Sequence, residues 1–333
     1  MKYLLFIIIL LFSSVLFSQT PSFTNGQYGS GIATDPYQIW NIDHWNELYD
    51  SIINDTSPWY TLWTENKHFR IMQDISGPVT QVLTGFLGSM RGSGNTITID
   101  VTGYYLEVMC IICSIKRGQL LDSLTLEGIG QMLTSNTGTV DFCVNNKTQW
   151  IGHYYVVGAG GIVYGNYGTT SNCINNGDIF SSDCIGGIAG YNEGQIINCI
   201  NTGSITASNS GNGNRNGIGG IVGGMGNGHG IPTTGCINIG KIIGQINVGG
   251  IQGRSNYGAY GNSTILNCIN YGHVKGINKV GGIVGRRWSY TSIEDCINVG
   301  VVEGESEVDC IVGDGHPASI NCWWDKQICP ADD

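Results

Sequence analysis

Two short phrases alternate along the second half of the chain, and this repeat restricts the fold more than any other feature. The phrase Gly-Gly-Ile-x-Gly begins at Gly186, Gly219, Gly249 and Gly281. The phrase Cys-Ile-Asn-x-Gly begins at Cys173, Cys199, Cys236, Cys268 and Cys296. In three of the copies, 14 residues separate the cysteine from the second glycine of the next Gly-Gly, and the shortest full period is 26 residues. A unit of this size cannot bury an apolar face alone, so neighbouring units must stack.

Each unit contains three short β-prone runs separated by glycine and asparagine, too short and too rich in glycine for helices. Asn-Gly and Asn-x-Gly favour the positive φ angles of tight corners. Equivalent strands stacked at about 4.8 Å would form one continuous apolar interior. We therefore predict an all-β fold, a right-handed and three-sided parallel β-helix with one coil per repeat and about eight or nine coils. A β-propeller is the alternative, but its blades need about 40 to 45 residues and four strands.

The amino terminus has the pattern of a secretory signal peptide. Lys2 is followed by an apolar run over residues 4–11, and small residues lead to Ser18 and Gln19. This pattern predicts cleavage after about residue 18, with residues 1–18 as the signal peptide. A transmembrane anchor is the alternative, but it needs about 20 apolar residues and a basic cluster after them. We expect a secreted or cell-surface protein that does not span the membrane after cleavage.

The remaining chain divides by its patterning. Residues 19–79 are expected to form an N-terminal lead-in and cap, 80–157 irregular first coils, 158–320 the regular repeats and 321–333 a C-terminal cap.

Aromatic residues are expected to close both ends of the solenoid. An amphipathic helix is predicted over 41–53, because its apolar residues fall at helical spacing. Those residues are Ile42, Trp45, Leu48, Tyr49 and Ile52. Covering the first coil would protect its open strand edge from aggregation. We expect Trp45, Trp59 and Trp63 to pack in this cap, and Trp323 and Trp324 to close the far end.

Composition excludes two classes of protein. The chain has 15 Lys and Arg against 25 Asp and Glu, a formal net charge of −10. This balance argues against a nucleic-acid partner, which needs a basic stripe. Hydrophobic residues make up 41% and there are only 7 prolines, so the chain is too apolar for a disordered protein.

The two repeat phrases resemble the GLUG-motif repeats of exported bacterial proteins. The segments 34–39 (TDPYQI) and 68–75 (HFRIMQDI) are similar to the lead-in of that family, 91–99 (RGSGNTITI) to its first coil and 321–325 (NCWWD) to its ending. The likeness covers residues 29–329. It implies a secreted or surface β-solenoid, often adhesin-like, with no shared catalytic motif and therefore a fold and location more than an activity.

Seven of the 12 cysteines are expected to stack in one column inside the solenoid. They are Cys143, Cys173, Cys199, Cys236, Cys268, Cys296 and Cys322. Buried thiols are small and apolar, which favours free cysteines in such a column. Disulfides between successive coils are the alternative, although parallel side chains make their torsion awkward. A local Cys322–Cys329 bridge is a further possibility.

No metal or cofactor is expected. Cys110 and Cys113 form the only Cys-x-x-Cys, and a zinc site would need a second pair or two histidines at matched spacing. The column of Asn175, Asn201, Asn238, Asn270 and Asn298 is interpreted as a structural hydrogen-bonding ladder.

Aromatic residues recur at the corner after each Gly-Gly-Ile-x-Gly phrase, where loop length also varies. They are Tyr164, Tyr167, Tyr191, Tyr257, Tyr260, Trp288 and Tyr290. Aromatic rings with a polar handle suit binding surfaces, and variable loops tolerate binding roles. The alternative is that each ring simply covers the next coil.

These patterns predict a non-catalytic binding module that adheres to an extracellular glycan or a surface protein. A carbohydrate-active β-helix lyase or hydrolase is one alternative, and it requires clustered carboxylates near a basic residue. The candidate side chains are Glu193, Glu294, Asp295, Glu303, Glu305, Glu307 and Asp309, with Arg286 and Arg287. Glu303, Glu305 and Glu307 alternate as on one solvent-facing strand, which favours a solvated face. A passive spacer is the other alternative.

Overall fold

Five parallel β-sheets and one helix make up the described part of the chain. A computed structural model describes residues 28–55, 64–100, 110–129, 131–150, 158–182, 184–207, 217–225, 232–255, 263–288, 291–315 and 319–329. We number the sheets S1 to S5 in the order in which the chain passes through them. Within these residues, no helix is both long and apolar enough to cross a membrane.

S1 and S2 are the longest sheets, with eleven and ten strands. S1 contains β1 (Tyr37–Ile39), β2 (His68–Ile71), β4 (Ser89–Arg91), β7 (Leu120–Asp122), β10 (Thr139–Asp141), β15 (Thr169–Ser171), β20 (Gln195–Ile197), β25 (Pro232–Thr234), β30 (Ser263–Leu266), β35 (Thr291–Glu294) and β40 (Ser319–Ile320). S2 contains β3 (Ile75–Val79), β5 (Thr96–Asp100), β8 (Thr125–Ile129), β11 (Val144–Asn145), β16 (Ile174–Asn175), β21 (Ile200–Asn201), β26 (Ile237–Asn238), β31 (Ile269–Asn270), β36 (Ile297–Asn298) and β41 (Trp323–Trp324).

The other three sheets complete each coil. S3 contains β12 (Gln149–Trp150), β17 (Ile179–Ser181), β22 (Ile205–Ala207), β27 (Ile242–Ile243), β32 (Val274–Lys275) and β37 (Val302–Glu303). S4 contains β13 (Ala159–Gly160), β18 (Ile185–Gly186), β23 (Ile218–Gly219), β28 (Ile246–Gly249), β33 (Asn278–Gly281) and β38 (Ser306–Asp309). S5 contains β6 (Cys110–Ile115), β9 (Gln131–Asn136), β14 (Val163–Asn166), β19 (Ala189–Asn192), β24 (Val222–Met225), β29 (Gln252–Arg254), β34 (Val284–Arg286) and β39 (Val312–Asp314).

The chain visits S1 to S5 once per repeat, so each repeat is one coil of a solenoid of about eight turns. Every named strand pairs in parallel with its equivalent in a neighbouring coil, as Ile174 does with Ile200 and Ile179 with Ile205. The predicted all-β parallel solenoid is therefore confirmed. Each regular coil has five short strands rather than three runs, because extra corners interrupt what the sequence shows as continuous β-prone segments.

The predicted amphipathic helix is present as α1 (Ile42–Ile53). Asn41 caps its amino terminus, because the Asn41 side-chain oxygen accepts a hydrogen bond from the backbone N–H of His44 at 3.0 Å. Trp45 is fully buried, and its indole N–H donates to the carbonyl oxygen of Gln81 at 3.1 Å. The helix belongs to the same apolar cluster as the first coils, so it covers that end of the solenoid. Trp59 and Trp63 lie outside the described residues.

The interior contains two separate apolar cores. The larger core lies between S1, S2 and S5 and includes the inward cysteines. The smaller core lies between S3 and S4 and includes Ile179, Ile185 and Ile205. Between them, Asn175 of S2 approaches Gly161, which lies just after β13 of S4. The column of asparagines faces a row of glycines, and together they separate the two cores of each coil.

Left-handed backbone occurs at a corner that differs from the predicted one. The residue before the inward cysteine has positive φ, as at Asn172 (52°) and Asn198 (53°), a conformation that asparagine tolerates well. The glycine of Cys-Ile-Asn-x-Gly does not have positive φ. Instead, a Cβ on Gly203 would lie 2.0 Å from the carbonyl oxygen of Gly177 in the previous coil. Close approach of two backbones, rather than a left-handed corner, therefore explains this glycine.

Only one of the two tryptophans expected to close the carboxyl end of the solenoid faces the interior. Trp324 continues the inward position of Asn298 and packs against the larger core. Trp323 continues the outward position of Ile297 and is 70% exposed. Because neighbouring residues of a strand face opposite sides, only Trp324 contributes to closing the stack.

Candidate functional site

The predicted cysteine column lies at the junction of S1 and S2. Its seven members are Cys143, Cys173, Cys199, Cys236, Cys268, Cys296 and Cys322, and all are free thiols. All except Cys322 are fully buried. The Cys173 thiol donates to the carbonyl oxygen of Ser171 at 3.0 Å, and the later cysteines repeat this contact two residues upstream. Burial raises the pKa of Cys173 and Cys236 well above the usual thiol value. The column therefore packs the core, and burial holds the thiols of Cys173 and Cys236 in the unreactive protonated form.

One disulfide joins Cys310 to Cys329, with their Cα atoms 5.7 Å apart. The proposed local bridge from Cys329 to Cys322 is therefore wrong, because Cys322 occupies the last position of the cysteine column instead. The bridge ties the segment after β41 to the coil that contains β38.

The structure describes one side chain of the Cys-x-x-Cys pair, that of Cys113. Cys113 is half-buried and forms no disulfide, and the side chain of Cys110 lies outside the described residues. Over the described residues, no group of three or more His, Cys, Asp or Glu side chains could hold a metal ion.

The predicted asparagine column is a continuous hydrogen-bonded ladder. The Asn175 amide donates to the side-chain oxygen of Asn201 at 2.7 Å, and Asn201 donates in turn to Asn238 at 2.8 Å. From Asn175 onward, each amide also donates to the glycine carbonyl two residues later, as Asn201 does to Gly203 at 2.9 Å. The ladder consists of Asn145, Asn175, Asn201, Asn238, Asn270 and Asn298. Because these amides are buried and already hydrogen-bonded to one another, they are not available to a ligand.

A second asparagine ladder was not predicted. The Asn136 amide donates to Asn166 at 2.9 Å, and Asn166 donates to Asn192 at 2.8 Å. The same Asn-x-Gly signal precedes S1 in these three coils, so the sequence does contain the pattern. The ladder stops where Met225 replaces asparagine in register with Asn192.

Three of the seven predicted edge aromatics form a cluster, which we call the tyrosine cluster: Tyr164, Tyr167 and Tyr191. The Tyr167 and Tyr191 ring centroids are 6.2 Å apart with the rings tilted at 53°. Tyr167 is 47% exposed, and the Tyr191 hydroxyl donates to the Glu193 carboxylate at 2.7 Å. Burial, then the neighbouring Glu193, raises the pKa of Tyr191. Burial is also the main cause of the raised pKa of Tyr164.

The other predicted edge aromatics do not join this cluster. Trp288 lies three coils further along, where its ring packs under the Arg286 guanidinium at 4.4 Å from the ring centroid. Arg286 also pairs with Asp314 at 3.1 Å. Tyr257, Tyr260 and Tyr290 lie outside the described residues.

Several carboxylates considered for an enzyme have local partners. Glu303 pairs with Lys275 at 2.9 Å, Glu307 pairs with Lys279 at 3.2 Å, and Asp309 accepts from the N–H of Ile311. Glu303 and Glu307 lie on different strands, β37 in S3 and β38 in S4, rather than alternating along one strand as the spacing predicts. Both are exposed, as is Glu305 in the corner between them.

Comparisons with known proteins give one structural neighbour. The chain resembles a protein from Bacteroides ovatus with the provisional name immunoglobulin A1 protease, whose crystal structure was determined at 1.30 Å resolution. The TM-score is 0.52 at 20% identity, over 89% of this chain and 86% of that one. At this identity the likeness concerns the fold alone. No protein-family model and no curated protein matches the chain.

Proposed function

We propose that the chain is an exported β-solenoid that binds an extracellular glycan through the tyrosine cluster. The single observation that supports this function is the exposed Tyr167 ring beside Tyr191, whose hydroxyl is fixed by Glu193. A flat apolar ring can pack on the C–H face of a sugar, and phenol and carboxylate oxygens can bind its hydroxyl groups.

Export follows from the signal-like residues 1–18, and the repeat phrases support membership of the GLUG-motif group. A long parallel solenoid presents such a cluster on a rigid scaffold, which lowers the ordering cost of binding. A passive spacer would not need two adjacent tyrosines at an exposed corner.

The test is a glycan array probed with the signal-cleaved protein, compared with the Tyr167→Ser/Tyr191→Ser double variant. Tyr271→Ser is the matched control, because Tyr271 is also an exposed tyrosine, 54% accessible, but follows β31 on S2. We expect selective binding to one sugar class that the double variant loses and the control keeps.

A blank array from protein shown to be folded and β-rich would contradict the glycan proposal. Unchanged binding by the double variant would remove the tyrosine cluster from the contact surface.

A further inference from the structure

A groove of about 230 Å³ lies on the outer face of S1 near its amino-terminal end. Its walls include His68 and Arg70 of β2, Ser89 and Arg91 of β4, and Leu120 of β7. The volume is below the roughly 300 to 1,000 Å³ of pockets that hold drug-sized ligands, so it suits a single small unit.

Arg70 and Arg91 are register partners on adjacent parallel strands. Strands in this arrangement are about 4.8 Å apart, so both guanidinium groups extend from neighbouring positions on the same face. Directly opposed like charges are unfavourable unless something neutralises them. An anion between the two side chains would remove that repulsion.

No described carboxylate lies within ion-pair distance of either arginine. Neither arginine forms an ion pair with any residue in the described ranges, and the buried Nε of Arg70 has no hydrogen-bond partner. Two carboxylates that are close to the groove in register or in sequence accept hydrogen bonds from other groups. Asp122, in register with Arg91, accepts from the Ser123 hydroxyl, and Asp35 accepts from the N–H of Ser30.

The rest of the groove adds shape and polarity to this charge. Leu120 supplies apolar surface, and His68 lies two residues before Arg70 on the same side of β2. Ser89 is already engaged, because its hydroxyl donates to Gln119 at 2.7 Å and accepts from the N–H of Leu120. Of the serine and arginine donors in the groove, the arginine N–H groups are therefore the free ones.

We propose that this groove binds an acidic sugar unit, with Arg70 and Arg91 holding its carboxylate or sulfate oxygens. Guanidinium groups match oxyanions in geometry and form charge-assisted hydrogen bonds with them. A chain with net charge −10 repels polyanions in general, so binding to one requires a local basic site such as this. The choice of a sugar rests on the proposed function, whereas the preference for an oxyanion rests on the two arginines alone.

The experiment compares binding of the full chain to pairs of polymers that differ in charge: polygalacturonate against its methyl ester, and dextran sulfate against dextran. We expect binding to a charged member only, and at least tenfold weaker binding for Arg91→Gln and Arg70→Gln, as expected for loss of a charge-assisted hydrogen bond. The two polymer pairs distinguish carboxylate from sulfate recognition. Raising the salt from about 50 mM to about 500 mM should weaken the interaction.

Lys241→Gln is the matched control, because it removes the same charge from an exposed side chain just before β27 of S3. Unfolding midpoints equal to that of the wild type show that a variant is folded, and the exposed Arg91 is the safer of the two substitutions. Equal binding to charged and neutral polymers, or equal effects of Arg91→Gln and Lys241→Gln, would overturn the proposal.

The Tyr167→Ser/Tyr191→Ser variant separates this site from the tyrosine cluster. It should keep its binding to the charged polymer while losing array binding. Loss of array binding with no charged-polymer binding in the wild type would refute the groove and leave the tyrosine cluster supported.

Discussion

A Cβ placed on Gly187 would lie 2.4 Å from Cγ of Asn201 in the next coil. The same close approach joins Gly161 to Asn175, Gly220 to Asn238, Gly250 to Asn270 and Gly282 to Asn298. The two repeat phrases therefore meet inside the solenoid, where the second glycine of Gly-Gly makes room for the asparagine of Cys-Ile-Asn. This contact sets the boundary between the two cores.

Gly187→Ala should destabilise the protein by about 1 to 3 kcal/mol, because the added methyl would collide with Asn201 and with the carbonyl oxygen of Gly220 at 2.2 Å. Gly165→Ala is the control, since its nearest neighbour is the flexible Tyr167 side chain at 3.0 Å. Urea unfolding midpoints would measure the difference. Equal midpoints for the two variants would show that the coils can separate to admit the methyl group.

Asn201→Leu should cost about 1 to 3 kcal/mol, because it leaves the buried Asn238 oxygen without the amide donor that now lies 2.8 Å away. Asn176→Ala is the control. Asn176 is next to the ladder but exposed, and its amide bonds to Asn146 at the surface. We expect a change within about 0.5 kcal/mol there. Similar losses for the two variants would contradict a special role for the buried ladder.

The Cys310–Cys329 disulfide should stabilise the last coil selectively. It closes a sequence separation of 19 residues, and loops of about 15 residues are worth roughly 3 kcal/mol in chain-entropy models. Cys329→Ser should therefore speed proteolysis after β39, whereas Cys322→Ser should not. Mass spectrometry of unreduced peptides should link Cys310 to Cys329. A peptide linking Cys322 to Cys329 would disprove the pairing.

Stability should fall at alkaline pH because of two buried thiols of the cysteine column, Cys173 and Cys236. Burial raises the folded-state pKa of Cys173 and Cys236 above the unfolded thiol value of about 8.5, so the folded chain keeps protons that the unfolded chain releases. The contribution is complete below about pH 8 and is lost as the pH rises toward the folded pKa, by at most about 1.4 kcal/mol per thiol per pH unit.

Unfolding midpoints at several values from about pH 7 to about pH 9.5, below the usual tyrosine range, would measure this loss. Cys236→Ala removes one buried thiol and should show a shallower decline than the wild type. The same slope in both proteins would assign the alkaline loss to other groups.

The sequence by itself determined the class of fold, the coil repeat, helix α1 and the inward positions of the cysteine column and the asparagine ladder. It could do so because residues at equivalent positions of a solenoid must stack in register, so periodicity along the chain becomes neighbourhood in space. Strand alternation also predicts the outward orientation of Trp323, because neighbouring residues of a strand face opposite sides.

Only the tertiary structure decided the features that depend on contacts between different coils and sheets. Glycine is required at Gly203 because the carbonyl oxygen of Gly177 in the previous coil leaves no room for a Cβ. Cys329 pairs with Cys310, which lies outside the cysteine column. The separation of Trp288 from the tyrosine cluster and the unpaired Arg70 and Arg91 likewise depend on which side chains lie within reach. Strand alternation along the sequence predicts whether a side chain faces inward or outward. Its contacts depend on distances between coils and sheets, which only the tertiary structure defines.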